Sequence, residues 1–249
     1  MSDSAAIILA AGQGTRMKSD LPKVLIPVQN RPMIEYVLDS LAAAGIRRSI
    51  VVVGYRADDV KQLLAGRPGI EFALQSERLG TGHAARMAQP LLAGHQGPVV
   101  IVAGDSPMLQ SSSLRKLLDH FEQHQPACLL GTLHKTNPQG LGRIVRDVEG
   151  NFIGIVEEKD ATAGQRLITE VNMSTYVFNG PDLMTTLDKL KNDNQQGEFY
   201  LTDCPGILRS EGKRVEALAV LEPCEALSIN TPLELAQVEA QMRRMGYSQ

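Results

Sequence analysis

The sequence predicts an α/β protein: a doubly wound, Rossmann-like, mostly parallel sheet with antiparallel strands added in its second half. Three observations carry this. Short apolar runs rich in β-branched residues alternate with amphipathic helical stretches through residue 125. The loops richest in glycine and charge directly follow those runs, where parallel sheets present their loops at the strands' carboxyl ends. After about residue 127 the pattern changes to apolar–polar alternation, the mark of hairpins and half-exposed strands. No internal repeat or low-complexity linker interrupts the chain, so one domain is expected over residues 1–249, with a first half at 1–125, a second at 126–230 and a closing helix at 231–249.

The elements follow in order. Residues 5–11 form an unbroken apolar run and read as a buried first strand. Residues 24–28 are a short apolar piece, and Asn30, Arg31 and Pro32 make a turn. Residues 33–44 carry Ile34, Val37, Leu38 and Leu41 at helical spacing, and Gly45 suits the position after the last turn. Residues 49–54 are β-branched and read as a parallel strand buried on both faces. A short helix is expected over 58–64, a strand over 70–75, a helix over 81–92 and a strand over 98–103. Ser111, Ser112 and Ser113 are expected to cap a helix over 114–124. In the second half, 142–147 and 151–156 alternate on either side of Glu149-Gly150-Asn151, a hairpin signal. A strand is expected over 170–178 and a helix over 181–190, with Pro181 near its first turn. Residues 192–197 are a polar loop, 200–211 a helix despite Pro205, and 215–221 a late strand. Thr231 and Glu234 have capping-box spacing for the last helix, which ends near Met245.

Composition excludes several classes. The net charge of -3 and the absence of a basic block argue against a nucleic-acid binder. Cys128, Cys204 and Cys224 are odd in number and widely spaced, which argues against a disulfide scaffold or a zinc site. The start, Met1-Ser2-Asp3-Ser4, has no basic leader, and the following apolar run is too short to span a membrane. A reducing cytoplasm is the expected compartment.

The chemistry-bearing stretch is Leu9-Ala10-Ala11-Gly12-Gln13-Gly14-Thr15-Arg16-Met17, followed by Leu21-Pro22-Lys23. Gly12 and Gly14 let the backbone turn tightly and approach a ligand without a Cβ in the way. Freed amides in such a loop suit phosphate oxygens, and Arg16 and Lys23 add positive charge. Pro22 fixes its own φ and restricts Leu21, so the lysine leaves a stiff piece of chain. The stretch therefore reads as a nucleoside triphosphate site or, more plainly, as a turn. It is not a P-loop, because Thr15-Arg16 follows Gly14 where Lys-Ser/Thr is needed. It is not a dinucleotide fingerprint, because Met17 stands at the third glycine.

Other candidates lie beyond later strands. Asp105, freed from the fourth strand by Gly104, is placed to hold Mg²⁺, which takes one or two carboxylates plus ligand phosphates. By spacing alone Asn230 is a helix-turn residue or a second ligand. Gln75 offers donor and acceptor to a base edge, with the Gly80 and Thr81 amides beside it at a helix start. His83 reads as a packed helix residue. His120 and His124, four apart on one helix, read as solvated. The hairpin residues Gly142 and Glu157 and the later Asn172 offer polar groups to a sugar or simply to water.

Taken together, the stretch at 9–17 with Pro22-Lys23 resembles the signature of the sugar-phosphate nucleotidylyltransferases. Within them the chain is similar to the pyrophosphorylase domain of the bacterial N-acetylglucosamine-1-phosphate uridylyltransferases. The likeness extends over essentially all 249 residues. It includes Leu79-Gly80-Thr81-Gly82-His83, Gly104-Asp105, Gly142-Arg143-Ile144, Ile155-Val156-Glu157, Glu170-Val171-Asn172 and the run from Gln196 to Asp203. The resemblance implies a nucleotide-diphospho-sugar transferase fold with a nucleotide-binding first half and a sugar-binding second half. Leu9, Ala10, Ala11, Gly12 and Gly14 would meet the nucleoside and its phosphates, and Gln75, Gly80 and Thr81 would read uracil. Arg16 and Lys23 would be catalytic. Ala103, Gly104, Gly142, Glu157 and Asn172 would line the sugar side, and Asp105 and Asn230 would ligate Mg²⁺.

The implied substrates are UTP and a sugar 1-phosphate, with no nucleic acid, membrane or protein partner and a monomer or weak oligomer as the working state. Two departures bear on the sugar. Ala103 stands where the family has tyrosine, and Met173-Ser174 where it has Thr-Gly. The family's hexapeptide-repeat acetyltransferase β-helix domain has no counterpart within residues 1–249, so no acetyl transfer is expected of them. The neighbouring readings are a glucose-1-phosphate uridylyl- or thymidylyltransferase and a non-catalytic nucleotide-sugar-binding protein.

Overall fold

Residues 5–10 alternate between two apolar surroundings, which makes them a strand covered on both faces. β1 (Ala5–Ala10) sends Ala5 and Ile7 into one cluster and Ala6, Ile8 and Ala10 into the other. The structure, a computed structural model, describes residues 3–17 and 19–247. Met1, Ser2, Lys18, Ser248 and Gln249 lie outside the described residues, and with them the first residues of the start read as lacking a leader and the two ends of the expected 1–249 domain.

The chain continues through short 3-10 turns at Thr15–Met17 and Lys23–Leu25. A two-stranded ribbon follows, β2 (Pro27–Val28) with β3 (Arg31–Pro32), and then α1 (Met33–Ala43). β4 (Arg48–Val53), α2 (Ala57–Leu64), β5 (Ile70–Leu74), α3 (Thr81–Met87), β6 (Pro98–Ala103) and α4 (Ser111–His124) complete the first half. The second half supplies β7 (Cys128–His134), the hairpin β8 (Arg143–Arg146) and β9 (Phe152–Val156), and α5 (Ala163–Arg166). After these come β10 (Glu170–Asn179), α6 (Gly180–Lys189), α7 (Cys204–Ser210), β11 (Val215–Ala219) and α8 (Pro232–Arg244).

The main sheet runs β11-β7-β10-β6-β1-β4-β5. β1 is parallel to β4 and β6, and β4 to β5. β10 is antiparallel to both β6 and β7, while β11 is parallel to β7. One reversed strand therefore sits inside an otherwise parallel run. The hairpin attaches to β10 where Arg143 pairs with Val171. Ile34, Val37, Leu38 and Leu41 of α1 bury against one face of the sheet, together with Val60 and Leu64 of α2 and Leu114, Leu117 and Phe121 of α4. α3, α6 and α7 cover the opposite face through Ala84, Ala85, Leu183, Leu187 and Leu208. A third cluster, built on Met17, Val28, Met33, Ile229, Val238 and Met242, seats α8 against β2 and the start of α1.

Several local expectations are corrected. The helix expected over 81–92 ends at Met87 and continues as a 3-10 turn, Gln89–Leu92, because Pro90 cannot donate and crowds the preceding turn. β7 was not anticipated, since Gly131 and Thr132 interrupt its apolar run, yet it lies between β10 and β11. None of the serines caps α4; the helix begins at Ser111 behind Gln110, and the Ser113 hydroxyl donates to buried Glu225 at 2.5 Å. The stretch 200–211 is a 3-10 turn, Leu201–Asp203, running into α7, whose first turn accepts Pro205. Thr231 does accept from the Glu234 N–H, but the Glu234 carboxylate returns to the Asn230 N–H at 2.8 Å. His120 is not freely solvated; it pairs with Glu216 at 2.5 Å and its ring lies 4.3 Å from that of His124. All three cysteines are free and buried. Among the described residues no helix is long and apolar enough to cross a membrane.

Four strands of the second half meet at one carboxylate. Glu170 on β10 accepts from both arms of Arg146 on β8 at 2.7 Å and from the Thr132 hydroxyl on β7 at 2.6 Å. Arg146 also donates to the Ala217 carbonyl of β11 at 2.8 Å. Burial alone would raise the Glu170 carboxyl, but the Arg146 guanidinium and Thr132 hydroxyl outweigh it and hold the group below its ordinary range. A depressed carboxylate stabilises the fold above its unfolded pKa, and that contribution is lost as pH falls through the folded value. Glu170→Ala should cost about 3 kcal/mol, the low end for a broken buried pair because Arg146 keeps some access to water. In thermal melts at pH 7 this is a fall of about 6 °C or more. The gap should close as the pH is taken below about 4; a gap that persists there would mean that the carboxylate is not the source.

Candidate active site

The loop after β1 is shaped by what cannot fit in it. Gly14 has φ +69°, and a Cβ there would stand 2.8 Å from Lys23 Cβ, so a side chain at 14 would displace the lysine. The Met17 N–H donates to the Gly14 carbonyl at 2.9 Å, and the Lys23 N–H to the Gly12 carbonyl at 3.3 Å. The two ends of the stretch are thereby folded against each other. Gly12 has open space on the side where a Cβ would stand.

The Lys23 ammonium lies 2.5 Å from Asp105 Oδ2 and donates to Asn230 Oδ1 at 2.9 Å. Arg16 Nη2 donates to the same Asn230 oxygen at 2.9 Å. Asp105 comes from the end of β6 and Asn230 from the entry to α8. The packing of Ile229, Val238 and Met242 holds that entry in place. Two cations and two oxygen-bearing side chains thus share one spot, with Lys23 and Asp105 only partly open to solvent. Among the described residues no three His, Cys, Asp or Glu side chains cluster as a metal site. A cation here would be met by one carboxylate and one amide oxygen.

A cleft of about 390 Å³ opens beside this group. Leu9, Ala11, Gly12, Gln75, Gly80, Thr81, Ala103, Lys23 and Asp105 all line it. Ala10 does not; it is buried in the sheet face covered by α1, α2 and α4. Gly104 is also set back, its N–H bonded to the Leu9 carbonyl at 2.9 Å. Gly80 enters α3 with φ +102°, and a Cβ there would stand 2.6 Å from the Phe199 carbonyl. Residues 198–201 are fastened to this turn: the Phe199 N–H bonds the Leu79 carbonyl, and the Gly82 N–H the Phe199 carbonyl, both at 2.8 Å.

The three candidate sugar residues are brought together on the hairpin side. A Cβ at Gly142 would lie 3.4 and 3.5 Å from the Glu157 carboxylate oxygens, so the carboxylate rests against Gly142. The Asn172 N–H donates to the Gly142 carbonyl at 2.9 Å. The Asn172 side chain is buried and engaged, donating to the Tyr176 hydroxyl at 2.8 Å and accepting from the Ser174 N–H at 3.2 Å. That bond closes a bulge in β10 between Asn172 and Thr175, where Ser174 takes φ +54° and faces the cleft.

A second cavity of about 350 Å³ is lined by Glu157, Asp160, Lys191, Tyr200, Thr202 and Asp203. Burial pushes the Glu157 carboxyl up, against a lowering hydrogen bond from the Thr202 hydroxyl, and burial also raises Asp203. The sequence reading gives no binding role to Thr202 or Asp203, takes His83 as a packed helix residue, and notes Ser174 only as a departure from the family pattern. Thr202, Asp203 and His83 lie within motifs that carry the family resemblance, which was the available signal; Ser174 had only its departure from the Thr-Gly pattern.

Comparison with known proteins places these features in context. The model of the MobA-like NTP transferase domain matches residues 6–169, which contain the glycine loop, Gln75, Asp105 and Glu157. The chain is 45% identical over 239 residues to the bifunctional protein GlmU of Exiguobacterium sibiricum, covering 96% of this chain and 53% of that protein. It is 42% identical over 244 residues to bifunctional protein GlmU of Shouchella clausii, and 43% identical over 244 to that of Streptococcus suis. These matches cover 98% of this chain and 53% of each relative. The chain spans about half the length of the curated relatives it matches. With the family model covering most of its length and most of the cleft lining inside the matched residues, the chain belongs to the MobA-like NTP transferase domain family and is a nucleotidyltransferase.

Proposed function

We propose that the chain transfers a uridylyl group from UTP to N-acetylglucosamine 1-phosphate, giving UDP-N-acetylglucosamine and pyrophosphate. The observation that carries the reading is the grouping of Arg16, Lys23, Asp105 and Asn230 beside a cleft that Gln75 also lines. Residues 1–125 would bind the nucleotide and 126–230 the sugar, with 231–249 as the C-terminal helix. The choice of amino sugar rests on the family resemblance through Gly142, Glu157 and Asn172. Three buried, unpaired cysteines suit a reducing cytoplasm.

The reaction is an in-line displacement. A sugar-phosphate oxygen forms a bond to the α-phosphorus of UTP as the bond to the β-phosphate oxygen breaks, and pyrophosphate leaves with that electron pair. The nucleophile is already charged, so neither a general base nor a covalent intermediate is needed. Catalysis is positioning plus charge stabilisation. The loop from Gly12 to Gly14 lets phosphates approach the backbone, Arg16 neutralises charge on the leaving pyrophosphate, and Lys23 holds phosphate oxygens through the transition state. Gln75 with the Gly80 and Thr81 amides binds the base.

Asp105 and Asn230 fit Mg²⁺: both offer hard oxygen donors, and both already converge on one cation, the Lys23 ammonium. Bound there, Mg²⁺ supplies a template and a Lewis acid for phosphate oxygens. Lys23 would then leave the two oxygens and turn to the phosphates.

The sister reading, transfer to glucose 1-phosphate or from dTTP, draws on Ala103 and Ser174, which leave a small side chain and a hydroxyl facing the cleft. Pyrophosphate release with UTP, Mg²⁺ and N-acetylglucosamine 1-phosphate should exceed release with glucose 1-phosphate or with dTTP. Release with another pair alone would move the substrate, and binding without release would favour a nucleotide-sugar sensor. Arg16→Ala and Lys23→Ala should each lower turnover about tenfold or more, roughly 1.4 kcal/mol of barrier. Lys23→Ala should at the same time tighten Mn²⁺ binding to the nucleotide-free protein in calorimetry, because it frees the Asp105 carboxylate of its resident cation and leaves Asn230 Oδ1 bonded to Arg16 alone. Weaker Mn²⁺ binding would remove Asp105 and Asn230 as the ligand pair.

Glu157 has a further consequence. A carboxyl raised by burial favours the fold when protonated, and that stability is lost as pH rises from the unfolded to the folded pKa. Glu157→Gln should therefore melt higher than the parent at pH 7 and equal to it below about pH 4, while its KM for the sugar phosphate rises. An unchanged KM would take Glu157 out of the sugar site.

A further inference from the structure

At the start of α3, Gln75 has a side-chain partner, His83, that the transfer mechanism does not use. Gln75 extends β5 by one residue, its N–H bonded to the Val53 carbonyl at 2.8 Å, and it is only 4% exposed. Its side-chain nitrogen lies 3.1 Å from the Gly80 carbonyl oxygen and 3.0 Å from Nδ1 of His83. A carbonyl can only accept, so the amide atom facing Gly80 is the nitrogen. The second amide N–H then meets His83 Nδ1, which must accept it, leaving the imidazole proton on Nε2. Both donors of Gln75 are spent, and among the described residues its Oε1 has no hydrogen-bond partner. Gln75 lines the cleft beside Gly80 and Thr81, the start of α3, whose first N–H groups have no intrahelical acceptor.

We propose that His83 is a positioning residue for base selection: it locks the Gln75 amide so that the cleft is offered an acceptor. An acceptor there takes a base with an N–H in the middle of its pairing edge, as uracil and thymine have. It turns away cytosine, whose nitrogen at that place is itself an acceptor. The inference rests on the nucleotide reading of the cleft given above.

A single carbonyl leaves the amide some freedom to rotate. With His83 Nδ1 as a second acceptor, a flipped amide would set its oxygen against the Gly80 carbonyl and would also require the imidazole proton to move to Nδ1, so the flip costs more than it would against the carbonyl alone. The imidazole is itself held. Its ring centroid stands 6.2 Å from that of Phe199, which the Arg86 guanidinium covers from 4.8 Å. The backbone bonds of Phe199 to Leu79 and Gly82 fix the ring to the same turn that carries Gly80.

The test measures Kd for UTP and CTP by calorimetry on the full chain, with melting temperatures recorded beside it. His83→Leu removes the acceptor, and His83→Ala does so without adding apolar bulk, in case the leucine variant fails to fold. His83→Asn returns an acceptor oxygen near the position of Nδ1. The parent should prefer UTP. The UTP-over-CTP ratio should fall about tenfold or more in the Leu and Ala variants, chiefly through weaker UTP binding, and stay within about threefold of the parent in the Asn variant. A purely structural role would lower both affinities together and spare the ratio. A full parental ratio in the folded Leu or Ala variant overturns the role of His83 alone, as does an Asn variant no better than Ala. A parent that does not distinguish UTP from CTP overturns the base-reading role of Gln75 itself, and the inference with it.

Discussion

The Lys23 ammonium is the point on which the rest of the site depends. It ties together a loop near the start of the chain, the end of a central strand and the entry to the last helix, and its partner Asn230 is 207 residues away in sequence. Holding it there needs a glycine with no side chain at 14, a proline at 22 that stiffens the stem, and an apolar cluster under α8 that fixes Asn230. One carboxylate cannot neutralise both Arg16 and Lys23. The group is therefore net positive at rest, which suits a ligand carrying several phosphate charges.

The second half of the molecule treats its buried carboxylates in opposite ways. Glu170 meets a guanidinium and a hydroxyl and serves the sheet. Glu157, partly buried, and Asp203, more exposed, border one cavity, and desolvation there raises both. Carboxyls left in that condition lower the stability of the fold, and such sites are enriched where ligands bind. The same contrast separates Asn172, whose side chain closes the β10 bulge, from Gln75, which keeps a free acceptor. Asn172 can meet a sugar only with the hydrogen-bonding capacity left after Tyr176 and Ser174 are served.

Much of this was legible in the sequence wherever a single physical rule acted alone. β1, β4 and β6 are covered on both faces, so they appear as apolar runs, and the loops that follow β1, β5 and β6 carry Gly12, Gln75 and Asp105. β7 was missed because Gly131 and Thr132 break its run, although its place between β10 and β11 buries all of it but His134. The serines before α4 looked like caps, but a buried glutamate from a distant turn claimed one of them. Asn230 could not be told from a turn residue by spacing, because only the tertiary fold brings it to Lys23. Gly142, Glu157 and Asn172 were reached through resemblance rather than through pattern. The role argued for His83 depends on a tautomer set by a carbonyl three residues earlier, which no local pattern encodes.

The reversed strand has a consequence for how the chain is made. β10 fills the gap between β6 and β7, so the flank of β6 away from β1 is unpaired until residues 170–179 arrive. During synthesis, the emerging first half would carry a bare edge of Val99, Val100, Ile101 and Val102, all buried in the finished protein. Such an edge invites pairing with another nascent chain. Fragments cut between β6 and β10 would inherit the same hazard, and this includes a split or circularly rearranged version of the protein broken at the exposed hairpin tip of Glu149 and Gly150. A break there leaves β10 on the later piece, so the two pieces would have to be made together and meet before either found another partner.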